Sequence, residues 1–128
     1  MEYYFSKMIS CSFDEAIIRV TDVLKSEGFG IISEIRMNEK LKEKLDVDFK
    51  KYTILGACSP SYAYKALQVE DKIGTMLPCY IVVQELSENH IEVAAVNPIA
   101  SMMAIQNPAL IEIAKDVTDK LQLVISRL

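Results

Sequence analysis

The chain of 128 residues reads as an α+β fold: a mainly antiparallel five-stranded sheet with two long helices on one face and two short inserted helices. Three observations carry this expectation. The extended segments alternate apolar and polar residues, as strands of an antiparallel sheet with one less-buried face do. Two longer segments repeat apolar residues at helical spacing, Ala16 through Leu24 in one and Leu110 through Leu128 in the other. Ser12 and Asn107 stand where those helices begin, as capping residues should. A doubly wound parallel sheet is the alternative, because helices also fall between strands two, three and four.

Tyr3 to Ile9 is predicted as the first strand, with Tyr3, Phe5 and Ile9 on one side and Tyr4, Ser6 and Ser10 on the other. Ser12-Phe13-Asp14-Glu15 is a capping box, in which Ser12 accepts from the Glu15 amide and Glu15 returns to the Ser12 amide. The first long helix carries Ala16, Ile17, Val20, Val23 and Leu24 on one stripe. Gly28 closes it, since a residue without a side chain turns left-handed at no steric penalty. Phe29 to Met37 is the second strand, where Ile31, Ile35 and Met37 alternate with Ile32, Glu34 and Arg36. One side is therefore expected to be apolar and the other partly wet.

Asn38 is expected to cap a short helix with Leu41 and Leu45 on one face, and Tyr52 to Cys58 is the third strand. Ser59-Pro60 combines a cap with proline at the first helical position, where its missing amide is not needed. The helix that follows carries Tyr62, Ala63, Ala66 and Leu67 and is expected to fray by Asp71 to Gly74. Cys79 to Leu86 and His90 to Val96 are the last two strands, joined by a turn at Ser87-Glu88-Asn89. Asn97-Pro98 ends the sheet. After a loop, Asn107-Pro108 repeats the cap-plus-proline signal and opens the closing helix, with Leu110, Ile113, Ala114, Val117, Leu121, Val124, Ile125 and Leu128 on one stripe.

This length fits a single domain over residues 1–128, large enough to bury a core. Fourteen Lys and Arg against 18 Asp and Glu give a net charge of −4, which argues against a nucleic-acid partner. The basic cluster from Lys40 to Lys51 is interleaved with Glu39, Glu43, Asp46 and Asp48, the pattern of a solvated helix face. The opening Met-Glu-Tyr-Tyr-Phe-Ser-Lys, with an acid at position 2 and no apolar run, is not expected to be a secretory signal. Val93 to Ile111 is uncharged over about a membrane span, but Asn97, Pro98, Ser101, Gln106, Asn107 and Pro108 interrupt it. No membrane association is expected. Three cysteines without framework spacing fit a reducing cytoplasm.

Leu45-Asp46-Val47-Asp48-Phe49-Lys50-Lys51-Tyr52, then Ile54-Leu55-Gly56-Ala57-Cys58-Ser59-Pro60, resemble the domain-of-unknown-function family 302. So do Ala63-Tyr64-Lys65-Ala66-Leu67, Gly74 followed by Leu77-Pro78-Cys79, and Asn107-Pro108-Ala109-Leu110. Two departures are visible. Ser59 stands where the family often has Asn, and Tyr80 follows Cys79 where Asn is common. The resemblance implies a small prokaryotic α+β domain that forms a homodimer. It implies no agreed activity, and any cofactor is left unknown.

The chemistry centres on Cys58 and Cys79. Cys58 precedes a helix start, where free amides and the helix dipole favour an anion and would stabilise a thiolate pointing that way. If strands three and four run antiparallel, the two sulfurs can approach; if parallel, they lie at opposite ends, beyond disulfide reach. The leading expectation is a non-enzymatic pocket for a small ligand or metal, formed by Cys58, Ser59 and Cys79 with Tyr62 beside them. A thiol-dependent redox protein is the alternative, with Cys58 as nucleophile and Cys79 as the resolving cysteine. A third is an interaction module on the wetter sheet face around Glu34, Arg36 and Glu92. Set against all three is packing alone, since free cysteine behaves as a small buried hydrophobe. Cys11 is read in that way, and His90, the single histidine, as an exposed turn residue. Met102, Met103 and Ile105 are expected to pack against the core or a second subunit.

Overall fold

The computed structural model describes residues 2–128. The elements run β1 (Tyr4–Ile9), α1 (Phe13–Ser26), β2 (Gly30–Arg36), α2 (Met37–Leu45), β3 (Tyr52–Cys58), α3 (Pro60–Val69), a 3-10 helix (Asp71–Met76), β4 (Cys79–Ser87), β5 (His90–Val96), α4 (Pro98–Ser101) and α5 (Pro108–Ser126). The sheet order is β1-β5-β4-β3-β2, and every neighbouring pair is antiparallel. The parallel alternative is thereby excluded.

Both long helices cover the same face. Val20 and Leu24 of α1 and Leu121 and Val124 of α5 pack on Leu55, Ile81, Val83, Ile91 and Val93 of the sheet. Ile81, Val83, Ile91 and Val93 are fully buried, and burial of each aliphatic side chain stabilises the fold by about 1.5–3 kcal/mol before entropy is counted. Helix α1 begins with one half of the expected capping box, the Glu15 amide donating to Ser12 Oγ at 3.1 Å. It ends at Gly28, whose φ is +86°. There the Phe29 amide donates to the Leu24 carbonyl at 2.9 Å, closing the last turn.

Four local expectations are corrected. Asn38 does not cap α2: Arg36 occupies the cap position, and Asn38 Oδ1 instead accepts from the Tyr52 amide at 3.3 Å, tying α2 to β3. The segment after α3 does not fray, because Ile73 of the 3-10 helix is fully buried. Asn97-Pro98 opens a one-turn helix rather than a loop; Asn97 Oδ1 accepts from the Ile99 amide at 3.1 Å. This is the same chemistry as Asn107-Pro108, where Asn107 Oδ1 accepts from the Ala109 amide.

The fourth correction concerns β2. Its register with β3 slips between Ile31 and Ser33, so Ile32 is an extra, bulged residue. One inserted residue exchanges the faces of everything after it. Glu34 and Arg36 therefore pair with Leu55 and Thr53, which are buried on the helix side. Ile35 pairs with Ile54 on the helix-free side. Glu92 pairs with Gln84 on that helix-free side, so it does not share a face with Glu34 and Arg36. The surface expected for an interaction module is split in two.

The basic cluster lies on α2 and the segment after it. Lys40 pairs with Glu43, and Lys42 with Asp46 and Asp48, all well exposed. Exposed pairs of this kind add little stability. No helix among the described residues is long and apolar enough to cross a membrane.

Candidate functional site

The antiparallel pairing of β3 and β4 brings the end of one strand to the start of the other. Ala57 sits directly opposite Cys79, and Gly56 opposite Tyr80. Cys79 is buried and Cys58 half-buried, and both are free thiols. Gly56 allows this closeness, since a Cβ placed on it would lie 2.7 Å from Pro78 Cγ and would also collide with the Ser33 side chain. The two cysteine-bearing segments therefore touch through a position where only hydrogen fits.

Beyond the thiols lies a cavity of about 310 Å³. It occupies the seam between two clusters of the core. Phe29, Ala57, Cys79 and Val117 reach it from the main cluster, and Ala66, Met102, Leu110 and Ala114 from a second one beneath α3. The space exists because small residues meet there: Ala57 of β3, Ala63 and Ala66 of α3, Gly74 of the 3-10 helix and Ala114 of α5. A leucine at several of these positions would fill it. The walls are apolar. The lining side chains that carry a hydroxyl or thiol are those of Cys58, Ser59, Tyr62 and Cys79.

The chain matches the family described as Domain of unknown function DUF302 over residues 5–128. It belongs to the DUF302 family. A solved structure described as an uncharacterized conserved DUF302 protein from Bacillus stearothermophilus is 30% identical, with a TM-score of 0.90. That match covers 99% of this chain and 98% of the other. No protein of curated function matches. The DUF302 motifs around Gly56 to Pro60 and Leu77 to Cys79 are thus the two segments that meet at the cavity.

At the cavity of this DUF302 protein the two thiols differ. Burial, and then the charge interaction with neighbouring Cys58, push Cys79 from an ordinary value of 9.0 up to about 11. Cys79 is therefore a protonated, weakly nucleophilic thiol at neutral pH. A group whose folded pKa is raised favours the folded state fully below its unfolded value, and that advantage is lost as pH climbs through the folded value. The window runs from 9.0 to about 11, and the loss across it is about 3 kcal/mol. Urea unfolding of wild type and Cys79→Ala, followed upward from about pH 8, is expected to show a steeper alkaline decline in the wild type. Parallel declines would remove the assignment.

The remaining candidates are placed as follows. Ser59 holds the cap position of α3, but its side chain makes no capping bond. Its hydroxyl is thus not committed to the helix. Tyr62 is half-buried at the cavity wall, and the Lys65 ammonium lies 5.6 Å from its ring centroid. Tyr64, on another face of α3, is 66% exposed. Cys11 is buried in the main cluster.

His90 is the first residue of β5, bonded through Nδ1 to Ser87 Oγ at 2.8 Å. It pairs across from Ser87, at the far end of β4 from Cys79. Eight strand steps separate those ends by about 26 Å, so His90 has no part in the site. Among the described residues, no group of three or more His, Cys, Asp or Glu is placed to hold a metal. Of the three apolar residues after Pro98, Met102 is buried at the cavity, Ile105 packs on the second cluster and Met103 is 69% exposed.

Sequence reasoning found the four polar lining residues and missed the walls. Ala66 and Ala114 were legible as helix positions facing inward. Nothing local showed that α3 and α5 would present small residues to each other.

Proposed function

We propose that the chain binds a small apolar molecule in the cavity between α3 and α5. The Cys58, Ser59, Tyr62 and Cys79 side chains orient one end of the ligand. The observation that carries this reading is the cavity itself: about 310 Å³, apolar on nearly every side, with four hydroxyl or thiol groups grouped at β3, β4 and the start of α3. Ligand pockets begin at about 300 Å³ and share this arrangement of apolar walls with a few placed polar groups. Binding needs no catalytic residue, and the protein is read as a binding domain rather than an enzyme.

Two alternatives are weaker. A metal would find two thiols, one of them held protonated, and among the described residues no third His, Cys, Asp or Glu is grouped with them. A redox couple needs Cys79 to act as a thiolate when it resolves a bridge, and its pKa of about 11 opposes that at neutral pH. The free state of both thiols fits a reducing cytoplasm, which we propose as the location.

Titration with N-phenyl-1-naphthylamine, a neutral fluorescent apolar probe, tests the binding role. Its fluorescence is expected to rise with saturation at one probe per chain and a Kd on the order of 10 µM. Absence of saturable binding, together with native mass spectra showing only bare chain, would overturn it.

A further inference from the structure

We infer that Cys58 captures neutral α,β-unsaturated carbonyl compounds covalently, with the apolar tail of the ligand lying in the cavity. The assignment rests on the binding role proposed above and names the chemical class of its ligand. No charged side chain lines the cavity among the described residues. An ionised head group would lose its hydration there and gain no counter-charge. The polar side chains that do line it carry hydroxyls and thiols, and the start of α3 adds backbone donors. Pro60 has no amide hydrogen, and the Ser61 and Tyr62 amides of the first turn have no carbonyl partner within the helix. Ser59 makes no capping bond that would occupy one of them. Donors without a charged partner suit a neutral acceptor, and a carbonyl oxygen is such a group.

The thiols turn a carbonyl site into a reactive one, because cysteine is the most nucleophilic of the uncharged side chains. Their burial decides which of them reacts. Cys58 is half-buried and lines the cavity, so both solvent and ligand reach it. Cys79 lines the same cavity but is only 8% exposed, and it stays protonated at neutral pH. One nucleophile and one spectator thus stand beside a space whose walls hold hydrocarbon. A charged peptide thiol joined to Cys58 by a disulfide would find neither a counter-charge nor room in water along those walls.

The addition needs nothing beyond the thiol, the ligand and water. An electron pair on the Cys58 sulfur forms a bond to the β-carbon, and the π pair of the C=C bond moves toward the carbonyl to give an enolate. The proton that Cys58 gives up to water is balanced by one that water returns to the α-carbon. There is no leaving group and no net oxidation. Negative charge grows on the enolate oxygen during the step, and the open amides at a helix start are the groups that stabilise it.

Intact mass spectrometry with peptide mapping of the full chain, treated with trans-3-nonen-2-one at neutral pH, tests this. One adduct per chain is expected, on Cys58, and Cys58→Ala should lose it. Addition should outpace that of trans-3-hexen-2-one, three methylenes shorter, by at least ~20-fold, because each buried methylene contributes roughly fourfold. Free cysteine supplies the reference ratio, since in solution it gains nothing from the longer tail. Ala66→Phe fills the cavity and should bring the ratio down to that reference. If Ala66→Phe does not fold, saturating N-phenyl-1-naphthylamine on the wild type carries the test and should remove the same preference. An adduct on Cys79 or on a lysine in place of Cys58 overturns the inference, and so does a ratio no greater than that of free cysteine. Where N-phenyl-1-naphthylamine still binds saturably, such a result leaves the binding role standing; where it does not, both fall.

Discussion

Gly56→Ala is expected to lower stability by about 3 kcal/mol, at the upper end of overpacking losses. The added methyl group would lie 2.7 Å from Pro78 Cγ and would collide with Ser33 on the other side. A serine hydroxyl can rotate away, but a proline ring cannot. The strain must therefore be relieved by moving the 77–79 segment off β3, where Ala57 pairs with Cys79. A second consequence follows from that movement. Cys79 would become more exposed, so its pKa would fall from about 11 and alkylation near neutral pH would quicken. Urea denaturation and timed iodoacetamide labelling of Gly56→Ala check both. Wild-type stability together with wild-type labelling would show that the two segments are not held through this contact.

The Gly56–Pro78 contact also shows where sequence reading succeeds and where it stops. The strands and the two long helices were legible because each carries its own periodicity and its own cap, as Ser12 and Gly28 do for α1. Antiparallel pairing was legible from alternation alone, and it placed Cys58 beside the segment of Cys79. What failed was local parity. Ile31-Ile32 puts two apolar residues in succession, and only pairing with β3 reveals which of them is bulged. With that insertion unseen, Glu34 and Arg36 fell on the wrong face.

The one-turn helix at Asn97-Pro98 was missed for a different reason. Its capping signal equals that of Asn107-Pro108, but four residues are too short to show periodicity. The cavity could not be read at all. It is a property of five small residues drawn from four elements, and their meeting depends on the tertiary fold. Sequence thus singled out four residues that line the cavity, Cys58, Ser59, Tyr62 and Cys79, and gave no warning of its apolar walls.

Those apolar walls support the strongest functional prediction. Ala66→Phe is expected to weaken N-phenyl-1-naphthylamine binding by at least ~100-fold, a loss of about 2.7 kcal/mol. Ala66 is 3% exposed on α3 and faces the cavity. A phenyl ring there would occupy the space a ligand needs while packing against Leu110 and Met102, which share its cluster. Because existing space is filled instead of a packed core being forced apart, stability should change by less than about 1 kcal/mol. That combination distinguishes a genuine cavity from a crowded seam: severe destabilisation of Ala66→Phe would mean the space is closed in solution. Unchanged probe affinity would place the probe elsewhere, and Tyr80→Glu then decides whether the helix-free sheet face holds it. Cys58→Ala completes the series. It leaves the apolar walls intact, so the neutral probe should bind it about as well as wild type, whereas a ligand oriented by the thiols should lose affinity. The contrast between Ala66→Phe and Cys58→Ala thus separates the part of the site that supplies affinity from the part that selects the ligand.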